Sequence, residues 1–191
     1  MTQYDVFSER WPAFDGALPE ADRGNLPASE ADLATVTEQL GRPVRGVVEI
    51  AARYPDGEPI VVKTLPQLPD GTPFPTVYYL TSPAATAAVS QLEANGLMKE
   101  WSEALTQDQE LAAHYARAHE QYLGVREALG QVPQIAGISA GGMPTRVKCL
   151  HVLVGHALAA GPGVNPLGDA AISVMAGLGT WRPDRPAGRV S

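Results

Sequence analysis

Strand-forming sequence is confined to one stretch of this chain, and helical patterns occupy most of the residues after it. Between residues 46 and 81, three runs rich in Val, Ile, Tyr and Thr are separated by turns and loops rich in Pro and Gly. From residue 83 onward, apolar residues recur at helical spacing between Gly and Pro breaks. Strands grouped early and helices grouped late predict an α+β fold, with a small three-stranded antiparallel sheet (about residues 46–81) packed against a helical C-terminal half.

Capping signals predict several helix boundaries. Ser29, followed by acidic residues, and Ser82, followed by Pro83, each offer a side-chain oxygen before a helical pattern. Pro144 predicts the start of a later apolar helix, and Gly161 predicts its end. We therefore expect helices to begin at these positions, with serine caps at the first two starts.

Length and composition favour a single domain. The 191 residues carry 14 basic and 21 acidic side chains, and the net charge of −7 argues against general nucleic-acid binding. The single cysteine excludes an internal disulfide. Because the sequence shows no signal pattern and no apolar run long enough to span a membrane, we expect a cytoplasmic protein. We predict a poorly ordered tail at 1–28, a single domain at 29–178 and a flexible tail at 179–191.

A glycine-rich segment leads into the helix predicted at Pro144. Free N–H groups and the positive end of the helix dipole favour anions at such a start. Arg146 and Lys148 would lie in the first turn, where the dipole disfavours cations, so a bound phosphate-type anion would offset the repulsion. The alternative is a capped helix whose cations point to water. The predicted ligand-binding residues are Gly141, Gly142, Thr145, Arg146 and Lys148, together with Ser82 at another helix start and Lys63 at the end of the second strand.

Cys149, His151 and His156 lie in the same predicted helix. On a helix, Cys149 and His151 lie about 200° apart, and Cys149 and His156 lie about 10.5 Å apart along the axis. Because zinc ligands lie within about 2.3 Å of the ion, we predict no metal site from this helix. Cys149 is expected to fill core space, with a role as nucleophile as the alternative. His151 is expected to be a core histidine, with a place in the anion site or a role as acid–base group as the alternatives, and no cofactor is predicted.

Three segments occur in the order LPDGTPFPTVYYLTSP, SAGGMPTRVKCLH and GPGVNPLG. With them the chain resembles the family called domain of unknown function 501, from about Leu33 to Met175. The resemblance implies a bacterial, mainly actinobacterial protein without an established activity. It also implies genes near those for enolase, a septum-formation initiator and an exopolyphosphatase-like protein.

Three functions stay open on these observations. The first is a domain that binds a small phosphate-containing molecule at the glycine-rich segment. The second, implied by the gene neighbourhood of the family, is a protein-interaction module of the division or envelope machinery. The third is an enzyme acting on a phosphorylated metabolite with His151 as acid–base group, which requires a carboxylate or hydroxyl within about 3 Å of the imidazole.

Overall fold

A computed structural model of the chain describes residues 27–185. The strands are β1 (Val47–Arg53), β2 (Pro59–Thr64) and β3 (Tyr78–Leu80). The helices are α1 (Glu30–Leu40), α2 (Pro83–Ala94), α3 (Leu97–Gln107), α4 (Gln109–Leu129), α5 (Leu150–Ala160) and α6 (Pro166–Gly177), with a short 3-10 helix at Pro133–Ile135. The predicted α+β class is confirmed. No helix in this part of the chain has the length and apolar character that crossing a bilayer requires.

The strands form one antiparallel sheet in the order β1-β2-β3. Val62 in the central strand pairs with Ile50 of β1 and Tyr79 of β3. The main core packs the sheet against the later helices, as predicted. A second, smaller cluster joins Val36 of α1 to Ile50 and Val62. The sheet therefore has helices on both faces, which lets so short a sheet bury apolar side chains on each side.

Two helix starts have the predicted capping chemistry. Ser29 Oγ accepts the Asp32 N–H at 3.2 Å, and the Asp32 carboxylate accepts the Ser29 N–H at 2.9 Å. This reciprocal capping box satisfies donors that the first helical turn leaves free. Ser82 caps α2 by accepting the Ala85 N–H at 3.3 Å.

Glycine allows α5 to approach its neighbours closely. A Cβ placed on Gly155 would lie 3.3 Å from the Tyr78 carbonyl oxygen of β3. A Cβ on Gly168 of α6 would lie 2.7 Å from the Ala157 Cβ and closer still to the Leu153 carbonyl oxygen. These two close contacts hold the middle of α5 between β3 and α6.

Arg126 of α4 is a charged residue in the core, with only 1% of its surface exposed. Its guanidinium donates to the Ile135 carbonyl at 2.7 Å and to the Ile138 carbonyl. Arg126 therefore holds the loop after α4 against the helix.

The segment after α6 is attached to the core. Trp181, placed by the sequence in a flexible tail from 179, is buried, and its Nε1–H donates to the Tyr54 hydroxyl at 2.8 Å. At the other end, the Ala28 N–H donates to the Val48 carbonyl at 3.2 Å. Predicted tail residues 1–26 and 186–191 lie outside the described residues, so the tails stay predictions there.

Candidate functional site

The glycine-rich segment forms a compact turn ahead of α5. The helix begins at Leu150, so the start predicted at Pro144 was wrong. Gly141 adopts a left-handed φ of 74°, which glycine tolerates without steric cost. Its carbonyl accepts N–H bonds from Lys148 at 2.7 Å and Cys149 at 3.3 Å. The segment therefore closes on itself, and these two N–H groups are already bonded within the turn.

The cations predicted to bind an anion lie in this turn and not in the helix. Thr145, Arg146 and Lys148 are exposed. Within residues 27–185, the Arg146 and Lys148 side chains have neither an ion pair nor a hydrogen bond. Because both residues precede α5, the repulsion expected in its first turn is absent. Anion binding by these residues with Gly141 and Gly142 stays a prediction.

Ser82 and Lys63 make their contacts elsewhere. Ser82 is buried, and its hydroxyl shares a 2.6 Å hydrogen bond with the Tyr54 hydroxyl while it caps α2. Lys63 forms an ion pair with Glu49 across β1 and β2. Within the described residues, neither side chain forms a hydrogen bond or an ion pair with the Gly141 turn. Their part in an anion site therefore stays a prediction.

The start of α5 receives a carboxylate from the chain itself. Oε1 of Glu93, in the last turn of α2, accepts the Leu150 N–H at 2.6 Å. This satisfies a donor that the helix start leaves free. The same oxygen lies 3.1 Å from Nδ1 of His151, and Sγ of Cys149 lies 3.9 Å from that nitrogen. These oxygen, sulfur and nitrogen atoms all lie within 4.8 Å of one another and form what we call the Glu–Cys–His cluster.

Cys149 and His151 converge because Cys149 precedes the helix. Cys149 is the N-cap of α5 and has an extended backbone, with φ −154° and ψ 113°. The rotation of 100° per residue therefore does not relate its side chain to that of His151. The two side chains were predicted on opposite faces because a helix was expected from Pro144, and that expectation was wrong. Helix geometry no longer excludes a shared metal ion.

His151 is held through both ring nitrogens. Nε2 lies 3.3 Å from the Thr86 carbonyl oxygen and 3.3 Å from the Ser90 hydroxyl, both on α2. Its interaction with Cys149 raises the pKa of His151 to about 9, and the Glu93 carboxylate adds to this effect against the opposing effect of burial. Without a bound ion, the imidazole therefore carries a proton near neutral pH.

A cleft of about 710 Å³ opens beside this cluster, within the size range of small-molecule sites. Cys149 and His151 line it together with the end of α1, strand β3 and the first turns of α2. Its other lining residues are largely apolar or hydroxyl-bearing and include Leu40, Tyr78, Tyr79, Leu80, Thr86 and Ala87. The cleft therefore offers an apolar space with thiol and imidazole groups in its wall.

His156 is a core residue and not part of this cluster. Its Nε2 lies 2.6 Å from Oε1 of Gln121, and its Nδ1 accepts from the Asn165 amide at 3.1 Å. The ring stacks on Tyr78 at 5.7 Å and meets Tyr122 edge-on at 5.1 Å. Burial lowers the pKa of His156 to about 4, so the imidazole is neutral near pH 7.

Sequence reasoning missed the contribution of α2 to the cluster. Thr86, Ser90 and Glu93 are spaced by four and three residues, which places them on one helix face. Polar residues on one helix face usually indicate exposure to solvent. Only the packing of α2 against α5 brings this face to His151, so no local signal identified it.

No curated protein and no solved structure matches the chain. A family model matches residues 50–173, from β1 into α6, and this range holds the whole Glu–Cys–His cluster. The match covers more than half of the chain and agrees with the resemblance found in the sequence. The chain therefore belongs to the family described as protein of unknown function (DUF501).

Proposed function

We propose that this chain is a small-molecule-binding domain whose ligand occupies the cleft between α1, β3, α2 and α5. The observation that carries the proposal is the placement of His151 and Cys149 in the wall of a cleft of about 710 Å³. A site that combines an apolar lining with a few convergent polar groups is the usual form of a small-molecule pocket.

The lining favours a ligand with an apolar body and one acidic end. Leu40, Leu80 and the ring of Tyr79 offer apolar surface, and Thr86 borders it near His151. About a quarter of the His151 side chain remains accessible to solvent. A protonated imidazole attracts a phosphate or carboxylate, although the Glu93 carboxylate beside it offsets part of that charge. A phosphate-containing molecule, the ligand class expected from the sequence, therefore stays within the proposal.

A specific contact also favours the enzyme alternative. An acid–base role for His151 requires a proton-transfer partner within about 3 Å, directly or through water. Oε1 of Glu93 lies 3.1 Å from Nδ1 of His151, so the carboxylate meets that requirement. The substrate of such an enzyme would occupy the same cleft, and turnover of a bound compound would distinguish catalysis from binding alone.

The proposal is tested by filling the cleft. Ala87 is an exposed residue of α2 that lines the cleft, and Ala113 is an exposed residue of α4 that does not. Ala87→Trp and Ala113→Trp therefore make the same chemical change inside and outside the site. Thermal unfolding is followed with phosphate, pyrophosphate, sugar phosphates, nucleotides and short carboxylic acids. A ligand at 100 times its dissociation constant adds about 2.7 kcal/mol of stability, which such melts detect.

We expect at least one compound to stabilise the wild type and Ala113→Trp but not Ala87→Trp. Stabilisation that survives Ala87→Trp and disappears when Arg146 and Lys148 are both replaced by alanine would place the ligand at the Gly141 turn and contradict the cleft. Failure of every compound to stabilise the wild type would also contradict the proposal.

A further inference from the structure

Three different donor atoms meet where α2 packs against the start of α5. Glu93 contributes a carboxylate oxygen from α2, and Cys149 and His151 contribute a thiol sulfur and an imidazole nitrogen from the first residues of α5. We propose that Glu93, Cys149 and His151 form a transition-metal site that takes Zn²⁺ or an ion of similar chemistry. This inference concerns a metal ion and does not require an organic ligand in the cleft; a bound ion would take the place of a proton on Nδ1 of His151 and would itself attract the acidic end of such a ligand.

The spacing of the donors suits a tetrahedral ion. Bond lengths of about 2.3 Å to sulfur and about 2.0 Å to nitrogen or oxygen imply S···N separations of about 3.5 Å and N···O separations of about 3.3 Å. The observed separations are 3.9 Å from Cys149 Sγ to His151 Nδ1 and 3.1 Å from that nitrogen to Glu93 Oε1. These two separations differ from the tetrahedral values by a few tenths of an ångström, and Sγ of Cys149 and Oε1 of Glu93 lie within 4.8 Å of each other.

The donor types select the class of metal. Ca²⁺ and Mg²⁺ prefer sites built from oxygen ligands. Thiolate and imidazole together suit zinc and related first-row ions. Three protein ligands also leave one coordination position for water or an added molecule. Because Cys149 and His151 line the cleft, an ion bound by them would lie at its wall.

The surroundings already orient two of the ligands. The Thr86 carbonyl oxygen lies 3.3 Å from Nε2 of His151, and when that nitrogen donates its N–H to it, the Nδ1 lone pair is available to an ion. The Leu150 N–H holds the Glu93 carboxylate in place at 2.6 Å. Hydrogen bonds of this kind to a ligating histidine and carboxylate are typical of protein metal sites. They distinguish this cluster from an isolated cysteine.

The competing interpretation is a catalytic pair in which the Cys149 thiol is the nucleophile and the His151 imidazole is its base. In a nucleophilic triad the carboxylate orients the histidine through one ring nitrogen while the nucleophile uses the other. Here Glu93 and Cys149 both approach Nδ1 of His151, and Nε2 faces the Thr86 carbonyl. Convergence on one point favours a shared ion over a proton relay.

Cobalt(II) provides a direct test because it replaces zinc and absorbs visible light. The full chain is freed of metal with a chelator and titrated with Co²⁺ alone. We expect one equivalent to produce the thiolate-to-cobalt charge-transfer band and the intense visible bands of a four-coordinate ion. Glu93→Gln, Cys149→Ser and His151→Gln should each weaken binding by more than the roughly 10- to 100-fold that loss of a hydrogen-bond partner of a ligand typically costs, since each removes a ligand itself. Glu103→Gln and His119→Gln, which change the same residue types outside the cluster, should bind as the wild type does.

Circular dichroism of each metal-free variant checks that it has folded. The absence of a thiolate-to-cobalt band at one equivalent would overturn the proposal. A band that persists unchanged in Glu93→Gln and His151→Gln would show adventitious binding to the thiol and would overturn it too. Ala87→Trp should retain the cobalt spectrum while it loses small-molecule binding. If no compound stabilises the wild type but the cobalt spectrum is intact, only the proposed function is contradicted. Thermal stabilisation of the wild type by a small molecule, without any thiolate-to-cobalt band, would contradict only the metal site.

Discussion

The contact between α5 and α6 yields a sharp prediction at Gly168. Gly168→Ala would place a Cβ 2.7 Å from the Ala157 Cβ and 2.9 Å from the Leu153 carbonyl carbon. Ordinary carbon contacts lie at about 3.5–4.0 Å. The neighbouring atoms include backbone, so rotation of a side chain cannot relieve the overlap. The two helices would have to separate by about 1 Å along this contact.

The cost of that movement is set by overpacking, which typically amounts to about 1–3 kcal/mol. The higher helix propensity of alanine offsets at most about 1 kcal/mol of this cost. Because backbone atoms form the contact, we take the upper end of the overpacking range. Gly168→Ala should therefore lower the free energy of unfolding by about 2 kcal/mol, which corresponds to a fall of about 4–8 °C in Tm for a chain of this size.

Gly124→Ala provides the matched control. Gly124 lies in α4, and a Cβ there would meet nothing within 4 Å. Its replacement should raise stability by about 0.5–1 kcal/mol through helix propensity and reduced unfolded-state entropy. Urea unfolding followed by circular dichroism measures both variants. If Gly168→Ala proved as stable as the wild type, α5 and α6 could not approach each other as the structure shows.

Further predictions concern titration and buried hydrogen bonds. Burial raises the pKa of Asp169 to about 6, above its unfolded value of about 3.9. Because the folded chain holds this proton more tightly than the unfolded chain, the free energy of unfolding falls as pH rises from about 4 to 6. The stability of the wild type relative to Asp169→Asn should fall over that range in urea melts, and a constant difference would contradict this. The hydrogen bond from Arg53 lowers the pKa of Asp32, so the wild type should be more stable than Asp32→Asn above about pH 4 and lose that advantage in stronger acid. Ser82→Ala removes the α2 cap and the bond to the Tyr54 hydroxyl and should cost about 1–3 kcal/mol by thermal or urea unfolding; an unchanged free energy would contradict that role.

Much of the fold was predictable because its signals are local. Strand-forming runs between residues 46 and 81 became the three antiparallel strands, and Ser29 and Ser82 cap helices α1 and α2. Propensity, capping and turn chemistry act within a few residues, so a single sequence records them. The second layer formed by α1 against the sheet was not predicted, because it depends on contacts between Val36 and distant strands.

Much less of the candidate site was predictable. The sequence identified Cys149 and His151 as residues of interest but placed both inside a helix from Pro144. The structure begins that helix at Leu150, since the Gly141 carbonyl draws the preceding N–H groups into a turn. Because the helix begins six residues later than predicted, the Cys149 and His151 side chains lie together and not on opposite faces. Helix propensity and a proline could not reveal it, because the turn is stabilised by backbone contacts across the loop.

The sequence by itself determined the α+β class, the order of strands and helices, and the capped starts of α1 and α2. Those features depend on periodicity and on side chains that satisfy their own neighbouring backbone. Only the tertiary structure decided that the Glu93 carboxylate, 58 positions before His151 in the chain, meets the Cys149 thiol at Nδ1 of His151. Side-chain chemistry can be listed from a sequence, but its convergence at one point depends on how α2 packs against α5.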